Sequence, residues 1–260
     1  GNMLNYIKGE GYRITHSRGM YVAAGIASGL LVLMNLVLYI SNQNITNFPY
    51  GLMSFSLNNL IANLQILFIS GFVVAALLFG DERKNGTLKN VVAYGIPRTH
   101  IFIGKCVVSI ATALCCMAVI LVFYVGSAYL LLGGPAAEPL GKMAGGIGAA
   151  MPSAFASVIL GVALLTLFEK DVVAAIVWFA VMNVIPVICY YAGFKVEILR
   201  KIAGWMPWNI FRFEVSANMS GYHCLWDTPS GLAKCIIAGA AGILIFGAAG
   251  ILVSRKKEIG

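Results

Sequence analysis

Six apolar runs, each about 20 residues or longer, set the limits on what this chain can fold into. They lie near residues 20–40, 60–80, 106–132, 147–168, 172–194 and 232–253. A hydrocarbon core of about 30 Å needs about 20 helical residues at a rise of about 1.5 Å each, so every run can cross. Backbone in lipid must bond within its own segment, which selects helices. The period-two alternation of a barrel strand is absent. The first run is too long for a cleavable leader, and no clear small-x-small site follows it. Composition agrees: 60% of residues are hydrophobic and 11% charged, where a soluble domain carries about a quarter charged. A water-soluble enzyme and a disordered chain are both excluded. The expectation is an all-α integral membrane protein with six transmembrane helices in one domain over residues 1–260.

Lys and Arg set the orientation. The connections 1–19, 81–105, 169–171 and 254–260 hold twelve of them, and the connections 41–59, 133–146 and 195–231 hold five. The first set is the shorter in length, so both termini are expected in the cytoplasm. The net charge of +8 then reflects membrane anchoring, and no nucleic-acid partner is expected.

Three connections carry more than chain continuity. Residues 3–18 are amphipathic, with Leu4, Ile7, Gly11 and Ile14 on one side and Lys8, Arg13 and Arg18 mostly away from it. This suits a helix lying in the cytoplasmic interface against lipid. Within residues 81–105, Asn85-Gly86 is a turn signal and Thr87 an N-cap. Leu88, Val91 and Val92 then form an apolar stripe that Gly95 and Pro97 end, and Thr99 can cap the next helix. A short amphipathic helix held there needs lipid or a protein to cover its apolar face. Residues 195–231 are too polar to span. Ile198, Leu199 and Ile202 make a short stripe ending at Gly204, and Trp205, Trp208, Tyr222 and Trp226 suit a lipid–water boundary.

No catalytic constellation is present. Gly104-Lys105 and Gly141-Lys142 lack the first glycine of a phosphate loop, Thr99 and Ala136 standing there instead, and Cys106 and Met143 follow the lysines. His16, His100 and His223 are isolated, so no metal site is expected. Cys224 and Cys235 both fall toward the outer side, as a disulfide or as two thiols. No charged residue lies deep in a run, which disfavours an ion-coupled carrier. The polarity inside the runs is amide and hydroxyl: Asn35, then Asn58, Asn59, Asn63 and Gln65 on one half of the second helix, then Asn183. These either bond helices together or line a path. Ser153, Ser157 and Gly161, and the Gly-Ala-Ala-Gly repeats at 239–242 and 247–250, read as close helix packing.

The loop pattern Glu82-x-x-Asn-Gly-Thr-Leu-Lys-Asn, followed by Gly95, Arg98 and Lys105, resembles the cytoplasmic loop of type-2 ATP-binding-cassette (ABC) permeases. The likeness extends to an interfacial N-terminal helix, six spans, a coupling helix between spans two and three, and short outer helices between spans five and six. It implies a permease subunit of an ATP-driven exporter in the bacterial cytoplasmic membrane. It also implies a second permease copy or close paralogue, and a separate ATPase polypeptide that binds ATP and Mg²⁺. By that resemblance Glu82, Gly86, Thr87, Leu88 and Arg98 couple this chain to the ATPase. No cofactor is then expected in this chain, which is a transport subunit and not an enzyme. Asn35, Asn59, Asn63, Gln65 and Asn183 are the candidates for the substrate path. The style resembles peptide or bacteriocin export and immunity permeases, so amphipathic toxin or antimicrobial peptides are the expected cargo. Small hydrophobic drugs or glycans are the alternative cargo, and an ATP-independent channel or secondary carrier is the alternative class.

Overall fold

A computed structural model describes residues 2–85 and 95–259. Helix α1 (Asn2–Thr15) precedes α2 (Arg18–Asn44). A bent pair follows, α3 (Met53–Ala62) and α4 (Ile66–Asn85). Then come α5 (Arg98–Leu131), α6 (Ala137–Leu167) and α7 (Asp171–Ala192). Two short helices, α8 (Glu197–Ala203) and α9 (Pro207–Phe213), lead into a hairpin of β1 (Ser216–Asn218) and β2 (Gly221–His223). The chain closes on α10 (Pro229–Ile259). Five helices are long and apolar enough to cross a membrane, and the count is six when the bent pair is taken as one span. The helical membrane fold is therefore as the apolar runs require.

Helix α6 is the centre. In its most apolar window 72% of residues are buried, against 11–22% in the windows of the other four long helices. It touches α3, α4, α5, α7 and α10. Small residues permit this. A Cβ on Gly239 of α10 would lie 2.3 Å from Cβ of Pro152, and one on Gly71 of α4 would lie 2.7 Å from Val158. Gly250 faces Phe102 of α5 in the same way, whereas Gly247 has nothing within 4 Å. Ser153 and Ser157 are fully buried on α6, and Gly161 packs on Phe72. The outer faces stay apolar: Tyr21, Ile26, Leu30 and Val37 of α2 are more than half exposed, as lipid or a partner helix demands.

The second span departs from a continuous helix at 60–80. It bends by 70° between Ala62 and Ile66. Asn63 leaves helical geometry (φ −130°, ψ 42°), and its N–H bonds the carbonyl of Leu60. Nδ2 of Asn59 donates to the Phe55 carbonyl at 3.1 Å, and Nδ2 of Asn63 donates to the Asn59 carbonyl at 2.9 Å. The second of these bonds serves a carbonyl in the last turn before the break. In α7 the residues Ala180–Val184 form a π-helical turn just before Pro186, whose missing N–H interrupts the ladder.

The other helices outrun their apolar cores. α4 continues to Asn85 and α5 begins at Arg98, with Pro97 rather than Thr99 at the N-cap position. Most of the connection 81–105 is thus helical at both ends. Gly95 adopts φ +74°, a turn conformation that glycine accepts without strain. Opposite the chain termini, α8, α9 and the hairpin form a cap. Trp208 and Trp226 point inward and are buried, Trp226 against Gly145 and Gly146, so they anchor the cap and only Trp205 stays exposed. The hairpin lay hidden in the sequence; its turn is held by Asn218 Oδ1, which accepts from the N–H groups of Ser220 and Gly221.

Candidate functional site

Three consecutive side chains at the end of α4 each grip a different element. Asp81 accepts a hydrogen bond from Ser17 Oγ at 2.5 Å, at the α1–α2 junction. Glu82 pairs with Lys105 of α5, and both side chains are buried, at 3% and 7% exposure. Arg83 donates to the carbonyls of Leu165 and Phe168, each at 2.8 Å, and pairs with Asp171. It closes the C-terminal end of α6, where four carbonyls lack partners within the helix. One helical turn at the mouth of the 86–94 segment is therefore fixed to α2, α5, α6 and α7 together. Successive residues on a helix point about 100° apart, which is why three neighbours reach three directions.

Helix α1 covers this turn. Tyr6 and Glu10 are buried, and Arg13 is half-buried. Arg13 Nη2 bonds Glu10 at 2.6 Å, and Nη1 reaches the Leu78 carbonyl at 3.5 Å. The packed face is thus Tyr6, Glu10 and Arg13, while Leu4 and Tyr12 are 64% and 69% exposed. The exposure of Leu4 agrees with a helix lying against lipid, whereas Arg13, expected away from the packed side, faces the bundle, where Glu10 balances its charge. Burial raises the Tyr6 hydroxyl pKa far above the usual range, and the carboxylates of Glu10 and Glu82 add to it. The Lys105 ammonium lies 4.0 Å from the centre of the Phe79 ring, a cation–π contact.

Of the residues expected to couple to an ATPase, Glu82 faces inward to Lys105 and Arg98 is the half-buried first residue of α5. Gly86, Thr87 and Leu88 lie outside the described residues, as does the short helix expected there. The sequence reading did not single out Tyr6, Glu10, Asp81 and Arg83. Its one available signal was the crowding of charge at the exact ends of two apolar runs.

The expected path residues separate into two groups. Asn35 is fully buried; its amide donates to the Tyr124 carbonyl at 3.1 Å and Ser127 Oγ at 2.7 Å, and its oxygen accepts from Ser56 Oγ at 2.6 Å. Gln65 is buried at the bend, and Asn58 is buried with its amide on the Asn218 carbonyl of the hairpin at 3.2 Å. Asn183 is half-buried in the π turn. Asn59 and Asn63 are exposed on the outside of the bend. The break removes the single polar face that a continuous helix would have made of these residues. Among the described residues no cluster of His, Cys, Asp and Glu could hold a metal ion. The six cysteines are free thiols, Cys224 and Cys235 included.

Comparison with known proteins adds the family. No curated protein matches this chain. The family of ABC-2 family transporter proteins matches residues 6–190, from the buried face of α1 to the end of α7. That range holds the clamped turn, the bend and five of the six crossings. The family is one of membrane transport subunits that normally pair with an ATPase subunit. The chain belongs to the ABC-2 transporter family, and is a multi-pass permease subunit of an ABC transporter.

Proposed function

We propose that this permease exports amphipathic peptides, with the path running along the bent second span where two permease copies meet. The observation that carries this reading is the exposure of Asn59 and Asn63 within a membrane-embedded segment. Amides facing hydrocarbon are costly, so a partner helix or an aqueous path must meet them. An uncharged amide surface beside apolar Ile66, Ile69 and Val73 suits a molecule with both polar and apolar faces. Bacteriocin-like or antimicrobial peptides have that character. ATP and Mg²⁺ bind in the partner subunit, whose closure is transmitted through residues 81–105 to the bend.

The charge asymmetry supports cytoplasmic termini in a bacterial inner membrane. Single cysteines at 256 and 142, in a cysteine-free background, test it. Position 142 should react with an impermeant maleimide in intact cells and position 256 only after lysis. The function is tested by reconstituting the permease with its ATPase and following a fluorescent cationic amphipathic peptide. ATP-dependent accumulation in inside-out vesicles is the expected result. Movement of a small apolar dye but not of the peptide would transfer the assignment to drug export.

A further inference from the structure

The Glu82–Lys105 pair is not built like static cement. Its surroundings leave polar atoms unserved: Glu82 Oε1, the Tyr6 hydroxyl and Arg13 Nε are buried without a hydrogen-bond partner among the described residues. A small cavity lies among them, lined by Glu10, Arg13, Phe79, Glu82, Lys105 and Ser109. A buried ion pair loses much of its Coulomb gain to desolvation, and apolar replacements of similar volume are often as stable. Fully satisfied partners would be needed for it to contribute as a rigid brace. Helix α1 is seated on the same spot by an unusually close approach: a Cβ on Gly104 would lie 2.8 Å from the Tyr6 ring. The pair is therefore the point where α1, α4 and α5 meet, at the start of the loop that faces the ATPase.

We propose that Glu82–Lys105, roofed by Tyr6, Glu10 and Arg13 of α1, is a coupling latch whose opening sets when the cytoplasmic ends of α4 and α5 can separate. This rests on the reading of residues 81–105 as the ATPase-docking loop. Lys105 and Tyr6 are positioning residues that act through Glu82 and the loop. The cavity has room for about one water molecule beside the charged groups, and Glu10 and Arg13 offer them alternative partners on the same helix face. A two-state element needs competing contacts of this kind.

The test uses the full permease with its ATPase, reconstituted together. Three variants are compared: Lys105→Met, Glu82→Leu with Lys105→Met, and the reversed pair Glu82→Lys with Lys105→Glu. Each is measured for melting temperature, capture of the ATPase, and ATP hydrolysis per captured ATPase. Lys105→Met should lower hydrolysis about tenfold or more, since it strands a buried carboxylate. The apolar pair should recover melting temperature and capture but not hydrolysis. The reversed pair should recover hydrolysis to within about threefold of the parent, the opposite charges being restored. Recovery of hydrolysis by the apolar pair would overturn the latch and leave a structural contact. Loss of capture by the apolar pair at a recovered melting temperature would overturn it as well, because the pair would then shape the docking surface. Leu88→Asp probes the docking reading separately. If it leaves capture intact, that reading fails, while hydrolysis in the three pair variants still decides the latch.

Discussion

Asn35 and Ser56, 21 residues apart, share a 2.6 Å hydrogen bond in which the serine hydroxyl donates to the amide oxygen. The asparagine amide holds α5 at the Tyr124 carbonyl and Ser127, while the Tyr124 hydroxyl bonds the Ser56 carbonyl. This closed set joins α2, α3 and α5, with Asn35, Ser56 and Tyr124 buried and Ser127 partly so. Asn35→Leu should therefore lower stability by about 1–3 kcal/mol, since it leaves several buried partners unserved. Transport per folded molecule should be unchanged. Detergent unfolding curves and a transport assay normalised to folded protein check both parts. A large loss of transport at unaltered stability would return Asn35 to the substrate path.

Asn59 and Asn63 behave differently because their side chains are exposed and bond to carbonyls of their own segment. Replacing both by Leu should leave assembly and melting temperature near those of the parent. Export of an amphipathic peptide should fall severalfold, and that of a small apolar dye much less. A uniform drop for both cargoes, with lower stability, would mean that the amides only join helices.

Arg83 binds two carbonyls and one carboxylate from a single guanidinium. Arg83→Lys keeps the charge but loses the fork, so it should destabilise nearly as much as Arg83→Ala. The pair is about a third exposed (34% and 42%), so Asp171→Asn should cost less, about 0.2–1 kcal/mol. Thermal unfolding of the three variants ranks them. A larger loss in Asp171→Asn than in Arg83→Lys would show that the ion pair, not the helix end, carries the effect.

Gly239 and Gly247 occupy the same type of repeat but opposite environments. A methyl group at 239 would press on Pro152 and its backbone, whereas one at 247 meets nothing within 4 Å. Gly239→Ala should cost about 1–3 kcal/mol, the range for overpacking. Gly247→Ala should be neutral or slightly stabilising, since alanine is the better helix former. Unfolding midpoints of the two variants measured side by side test the pairing of α10 with α6.

The apolar runs alone determined that this chain forms membrane-crossing helices, and about where. Their backbone hydrogen bonds lie within each segment, so hydropathy and length decide them locally. The small residues of α6 and α10 likewise announced close packing, because only a missing Cβ permits it. The outer segment was legible as too polar to span, and α8 ends at Gly204 as its stripe required. The bend in the second span was not legible, because Asn59, Asn63 and Gln65 fit a continuous helix equally well until their neighbours are known. By resemblance Glu82 read as an ATPase-coupling residue and Lys105 as part of the same loop pattern, with nothing to pair them. Only the packing of α1 over α4 and α5 brought them together, across 23 residues, and buried them. Pairings of this range depend on how whole helices approach one another, and no local pattern records that approach. The same holds for Arg83, whose partners lie more than 80 residues away.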